Sequence, residues 1–243
     1  MVTITKEGSG FQVDAWVRRP SIYLDTWALS DFSVDSALRE RLLGVLKSNG
    51  TLLFSWANVL EISRLTGATA ENIRGLLTEL AEQWFPIEFN PIKVIERENS
   101  LVNSSPCLAD GFLRGYIPYI YDGPLALSTL VDLLHDDEVK ASAEHNYQVL
   151  TTEICDLFRS ERDLWPVHPH TNKSLDFQPD KPTVFVYNGL MELIAKEVFQ
   201  INAQHVLDFC HAAVSLAYGD FVLLDKHWKD LARKLAMPFD RVR

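Results

Sequence analysis

With 243 residues, of which 47% are hydrophobic and 23% charged, the chain has the composition of an ordinary globular protein and can form one large domain or a domain carrying a sizeable insertion. Its net charge of -10 and pI near 5.1 exclude a generic nucleic-acid coat, which needs a basic surface. They leave a nuclease open, because clustered catalytic acids add negative charge that bound cations offset. No apolar run approaches the ~20 residues that cross a bilayer, so no membrane association is expected. Met1 to Glu7 lacks the basic start and apolar stretch of a secretory signal. Cys107, Cys155 and Cys210 form no CxxC pair and no even framework, which predicts a reducing, cytoplasmic setting.

In chain order, Ser21-Ile22-Tyr23-Leu24-Asp25 follows Arg18-Arg19-Pro20 and predicts a first strand. Val34, Ala37, Leu38, Leu42 and Val45 recur at helical spacing up to Gly50. Thr51-Leu52-Leu53-Phe54-Ser55 predicts a second buried strand. A helix with Val59, Leu60, Ile62 and Leu65 follows, ending at Gly67, and another runs from about Thr69 to Trp84. Pro86 to Pro91 reads as a turn or sheet edge, since proline cannot sit inside a central ladder.

Over about residues 97–180 the pattern changes. Leu125–Leu134 and Val139–Phe158 predict helices, between turns at Tyr121-Asp122-Gly123-Pro124 and Trp165-Pro166-Val167-His168-Pro169-His170, with an exit at Pro179 to Pro182. This predicts a mostly helical insertion within one domain spanning 1–243. A helix from about Val184 to Phe199 leads to a second one carrying Asp208 on its first turn. Gly219 stops it, and Phe221-Val222-Leu223-Leu224 forms a last strand ending at Asp225. The alternation through Trp84, resumed after Ile201, predicts an α/β fold with a central parallel sheet flanked by helices.

Four acids occupy comparable places: Asp25 and Asp225 end strands, Glu61 lies on the helix after the second strand, and Asp208 opens a helix. A parallel sheet gathers strand carboxyl ends at one edge, where ligands bind. Like charges ~4 Å apart at an effective dielectric of about 20 repel by roughly 4 kcal/mol. Such a cluster therefore suits a divalent cation, and hard oxygen donors favour Mg²⁺ or Mn²⁺.

Each acid also has a plainer reading. Asp208 can answer a helix dipole, Asp225 can cap the helix starting at Lys226, and Glu61 can be a solvated residue. Asp220 lies roughly 16 Å from Asp225 along an extended strand and belongs to the opposite edge. Asp31 and Asp35 read as helix caps. His211, on the same helical face as Asp208, either contacts substrate or is a buried histidine satisfied by a hydrogen bond. Arg64 can reach a phosphate or pair with Glu61. Lys226, Lys229, Arg233 and Lys234 form either a phosphate-contacting strip or a solvated face. His168 and His170 sit among prolines and make a poor chelating pair. No phosphate-binding Gly-Lys-Ser/Thr loop, HExxH, GxSxG or paired CxxC is present.

Four pieces in this order resemble the PIN-domain family of metal-dependent nucleases: Leu24-Asp25-Thr26 at a strand end, Glu61 within Asn58-Val59-Leu60-Glu61-Ile62, the helix start Asp208-Phe209-Cys210-His211-Ala212-Ala213, and Phe221 to Asp225 followed by Lys226-His227-Trp228. The resemblance covers about residues 20–85 and 182–236. The chain departs from the family in its long insertion and in Leu224, where many relatives carry threonine or serine. The resemblance implies a hydrolase that cleaves phosphodiester bonds with Mg²⁺ or Mn²⁺ held by Asp25, Glu61, Asp208 and Asp225. Thr26, Arg64, His211 and Lys226 would be substrate contacts. RNA is the implied substrate ahead of DNA. The implied setting is a cytoplasmic toxin or defence system with an inhibitory partner protein, and a homodimer is compatible with it. Two alternatives stay open: a catalytically silent PIN-fold binding or scaffold protein, and a structure-specific DNA nuclease.

Overall fold

A computed structural model describes residues 1–7, 10–100, 106–111, 113, 123–134, 136–164, 176–196 and 202–235. Its centre is a four-stranded, all-parallel sheet made of β3 (Ser21–Leu24), β4 (Thr51–Phe54), β5 (Trp84–Pro86) and β7 (Phe221–Leu223), in the order β5-β4-β3-β7. All residues of β3 and β4 are buried, as parallel strands covered on both faces require. This is why their sequences are continuous apolar runs rather than alternating ones.

The chain leaves β3 through α1 (Thr26–Val34) and α2 (Ser36–Asn49), returns in β4, leaves through α3 (Trp56–Ser63) and α4 (Gly67–Leu80), and returns in β5. It then runs through α5 (Pro91–Ser100), β6 (Gly123–Pro124), α6 (Leu127–Leu133) and α7 (Asp137–Leu164). Two further helices, α8 (Pro182–Ala195) and α9 (Ala203–Tyr218), lead to β7 on the other side of β3, and α10 (Lys226–Lys234) follows. Strand order therefore reverses between β3 and β7, and that switch point is where α/β sheets open a crevice at their carboxyl edge.

Several predicted elements are corrected. The helix predicted up to Gly50 is α2, and α1 precedes it unpredicted: Asp35 ends α1 and caps α2 by accepting from the Leu38 amide at 3.0 Å. Val34 and Val45, read as core-facing, are 63% and 40% exposed. Helix α4 stops at Leu80 rather than Trp84: Ala81 adopts φ 50°, and Trp84 instead enters β5 with its indole donating to the Leu125 carbonyl at 2.7 Å. Pro86 does fall on an edge strand. The amino-terminal segment forms a hairpin unforeseen from sequence, β1 (Val2–Glu7) against β2 (Gly10–Ala15), with β6 pairing antiparallel on the other side of β1. Asp208 lies on the second turn of α9, not the first, because Asn202 caps that helix by accepting from the His205 amide at 2.9 Å.

The described residues between α5 and α8 do not stand apart from this body. Leu127, Leu130, Val131, Tyr147, Ile154 and Phe158 belong to the same continuous apolar cluster as the sheet. Helix α6 packs on α3 and α4, and α7 packs on α3, α8 and α9. The predicted turn at Trp165 to His170, the tip at Tyr121-Asp122 and the predicted helix end at Phe199 lie outside the described residues. No helix among the described residues is long and apolar enough to cross a membrane.

The approach to β7 is tight. A Cβ at Gly219 would stand 2.6 Å from Val222 Cγ2 and 2.8 Å from the Ser215 carbonyl oxygen. The second contact is with backbone, so the end of α9 has to shift. Gly219→Ala is expected to destabilise the protein by about 1–3 kcal/mol, as overpacking does. Thermal unfolding checks this as a fall of several degrees in Tm; an unchanged Tm refutes the tight approach.

Candidate functional site

Two of the four acids are delivered by the sheet itself. Parallel pairing sets Leu24 opposite Leu223, and the Asp25 amide donates to the Leu223 carbonyl at 3.1 Å. Asp25 and Asp225 thus leave the carboxyl ends of adjacent strands at the switch point. Both are helix caps. Asp25 Oδ1 accepts from the Thr26 amide at 2.7 Å at the start of α1, and Asp225 Oδ1 accepts from the Trp228 amide at 2.9 Å at the start of α10. Capping and ligation are not exclusive, because capping uses one carboxylate oxygen of two. Each Oδ2 makes no hydrogen bond among the described residues.

Glu61 reaches the same edge from α3. Ser55 fixes the start of that helix through a reciprocal capping box with Asn58. The Thr26 hydroxyl donates to Glu61 Oε2 at 2.6 Å. Thr26 therefore serves two acids at once, its amide holding Asp25 and its hydroxyl holding Glu61. The hydroxyl proton is thereby committed to Glu61, while the oxygen keeps its acceptor lone pairs. Asp208, on α9, accepts from Gln204 Nε2 at 2.7 Å, one turn earlier on the same helix.

The electrostatics tie the four together. Burial pushes Asp208 up to about 7, against the opposing Gln204 hydrogen bond, and the charges of Asp25, Asp225 and Glu61 add to the rise. Burial also raises Asp25; His211 and the Thr26 amide oppose this, while Glu61 and Asp225 reinforce it. Glu61 is raised by burial, opposed by the Thr26 hydrogen bond and by Arg64. Buried Tyr23, beneath the site, is pushed up by desolvation and by Asp25, Glu61 and Asp208. Burial is the largest cause of each shift, and neighbouring carboxylates add to it at Asp25, Asp208 and Tyr23.

No three His, Cys, Asp or Glu side chains among the described residues are close enough to ligate one ion together. The acids converge electrostatically rather than as a closed coordination shell. Carboxylate oxygens are the donors that hard cations such as Mg²⁺ or Mn²⁺ take, but no three of them stand together among the described residues. No family model, curated protein or solved structure matches the chain. The reading of the site therefore stands on its geometry and charge.

Other predicted residues fall in distinct places. His211 is 5% exposed, its Nε2 lies 3.1 Å from Ser55 Oγ, and burial lowers it to about 4. It is a neutral, buried histidine held by a hydrogen bond. Ser55, His211 and Asp25 have the residue types of a nucleophilic triad. Ser55 is 1% exposed and caps α3, so no external substrate reaches its oxygen. Asp220 lies at the opposite edge as expected, where it accepts from the Ser21 amide at 2.8 Å. Arg64 does not form an ion pair with Glu61. Its Nε stands 3.6 Å from Glu144, and its guanidinium carbon lies 5.0 Å from the Tyr147 ring centre. His168 and His170 lie outside the described residues.

Sequence reading missed two contributors. Tyr147, from α7, is pushed up to about 12 by burial and then by Glu61, so the insertion reaches the acids. Beside Asp225, a cavity of about 380 Å³ is lined by Trp27, Leu223, Leu224, Asp225, Lys226 and Lys229. Lys226 thus lines this cavity, while Trp27 carried no signal beyond following Thr26.

Proposed function

We propose that this protein is a divalent-metal-dependent nuclease of PIN type that hydrolyses phosphodiester bonds, with RNA as substrate. The observation that carries the reading is the delivery of Asp25 and Asp225 from the carboxyl ends of adjacent parallel strands, with Glu61 linked to Asp25 through Thr26 and Asp208 inside the same field. Asp25, Asp208 and Asp225 would hold Mg²⁺ or Mn²⁺, and Glu61 would complete the acidic ring. A bound divalent ion supplies Lewis acidity at a phosphoryl oxygen and lowers the pKa of an attacking water.

The chain's own residues prepare that chemistry. Helix capping fixes the rotamers of Asp25 and Asp225, so each offers its second oxygen at little entropic cost. Thr26 holds one oxygen of Glu61 and leaves the other to orient a water or a substrate group. Buried, neutral His211 packs near Asp25 and acts as a positioning residue. The resemblance to toxin nucleases further suggests control by an inhibitory partner protein.

One observation favours a second reading, a PIN-fold binding module without activity: no three potential ligands stand together among the described residues. Labelled RNA and DNA incubated with Mg²⁺, Mn²⁺ or EDTA separate the two. Cleavage of RNA that stops in EDTA is expected. Cleavage that persists in EDTA sinks the metal reading, and no cleavage of any substrate favours the binding module.

A further inference from the structure

We propose that the cavity beside Asp225 is a nucleotide-binding subsite in which Trp27 stacks on an unpaired base while Lys226 and Lys229 contact the adjoining phosphates. This rests on the nuclease reading above and adds to it the place where the strand is gripped.

Trp27 begins the argument. It is 45% exposed at the start of α1, two residues from Asp25. In the cavity wall this half-exposed indole offers a broad apolar face on which a flat ring can stack. It makes no ring contact among the described residues. At about 380 Å³ the cavity falls within the size range of small-ligand sites. Leu223 and Leu224 give it an apolar wall, which suits the face of a base.

Charge points to the same occupant. On a chain of net charge -10, two ammonium groups share this cavity. Lys226 and Lys229 are three residues apart on α10 and lie on one helical face. Neither forms an ion pair among the described residues. A phosphate is the anion that a strand brings next to each base. Asp225 is common to this cavity and to the acidic site, so a nucleotide held here sets the adjoining phosphodiester beside the acids. In a duplex both faces of a base are covered by its neighbours, so stacking on Trp27 needs an unpaired nucleotide.

Fluorescence anisotropy in EDTA, where metal-dependent cleavage is silent, tests this with fluorescein-labelled oligouridylate, oligodeoxythymidylate and a hairpin duplex. Trp27→Ala is expected to weaken binding of the single strands about tenfold, with Trp27→Phe restoring most of it. Lys226→Ala and Lys229→Ala are each expected to reduce the slope of log K against log salt by about 0.7. The hairpin is expected to bind weakly and to ignore Trp27→Ala. Equal affinity of wild type and Trp27→Ala for the single strands overturns the subsite, even where Asp25→Asn abolishes cleavage and the nuclease reading stands. Loss of binding in Trp27→Ala, in a protein that cleaves nothing, upholds the subsite while the nuclease reading falls.

Discussion

Replacing Asp25 by asparagine is expected to lower Mg²⁺-dependent RNA cleavage by more than about a hundredfold, beyond the loss that follows removal of an outer-shell partner. The substitution keeps the shape of the side chain. Its Oδ1 still accepts from the Thr26 amide, and asparagine caps helices as well as aspartate does, so α1 keeps its start. What disappears is one negative charge. Asp25 adds to the raised proton affinity of Asp208 and is itself raised by Glu61 and Asp225. Removing it relieves repulsion in the ion-free protein, so Tm is expected to hold or rise while activity falls. Initial rates and thermal unfolding, measured on the same preparation, check both halves. A variant that cleaves at the wild-type rate places the chemistry elsewhere, and one that loses activity together with its fold says nothing for ligation.

The second large effect is a coupling between protons and Mg²⁺. Asp208 is pushed up to about 7 from an ordinary value of 3.8. Between those values the folded ion-free protein holds a proton that the unfolded chain has released. Stability from this group is therefore greatest at the acid end and falls as pH rises from about 4 to about 7. Asp25, raised in the same direction, adds to the trend. His211 opposes it. Lowered to about 4 from 6.5, it stays neutral when folded and takes a proton when unfolded, so its contribution grows with pH across that window.

A cation that needs the Asp208 carboxylate must displace the proton. At pH 5 only about one molecule in a hundred is ionised there, so Mg²⁺ affinity is expected to be about a hundredfold weaker than at pH 8. Following Tm against Mg²⁺ concentration at several pH values measures this. Asp208→Asn isolates the group by flattening the dependence between pH 5 and 8. A Mg²⁺ response that is the same at both pH values, in the wild type, removes Asp208 from the ion's surroundings.

The elements that place Asp25 and Asp225 were legible because each is an unbroken apolar run closed by an acid, Ser21 to Leu24 before Asp25 and Phe221 to Leu224 before Asp225, even though Phe221 stays exposed. The hairpin of β1 and β2 was not. Its alternation is masked by threonine, glutamine and lysine, and only Val2 and Ile4 are buried in β1. Helix α1 escaped notice because its buried positions are Ala28, Leu29 and Ser33, too few and too small to mark a helical stripe. The start of α9 was misplaced by a turn, since its capping box pairs Asn202 with His205 instead of serine or threonine with glutamate. Tyr147 and Trp27 illustrate a different limit. Periodicity says which face of a helix is apolar but not what that face meets: Tyr147 meets Glu61, and Trp27 meets Asp225, only through long-range packing.

The double duty of Thr26 has a mechanical consequence. Its amide and its hydroxyl are rigidly spaced within a single residue, and each grips a carboxylate from a different crossover of the sheet. Asp25 and Glu61 are thus yoked: a ligand that draws one outward tugs the first turn of α1 and carries the other along. Two carboxylates thirty-six positions apart in sequence (25 to 61) then respond as one jaw of a clamp, with the opposing jaw supplied by Asp225 at the start of α10.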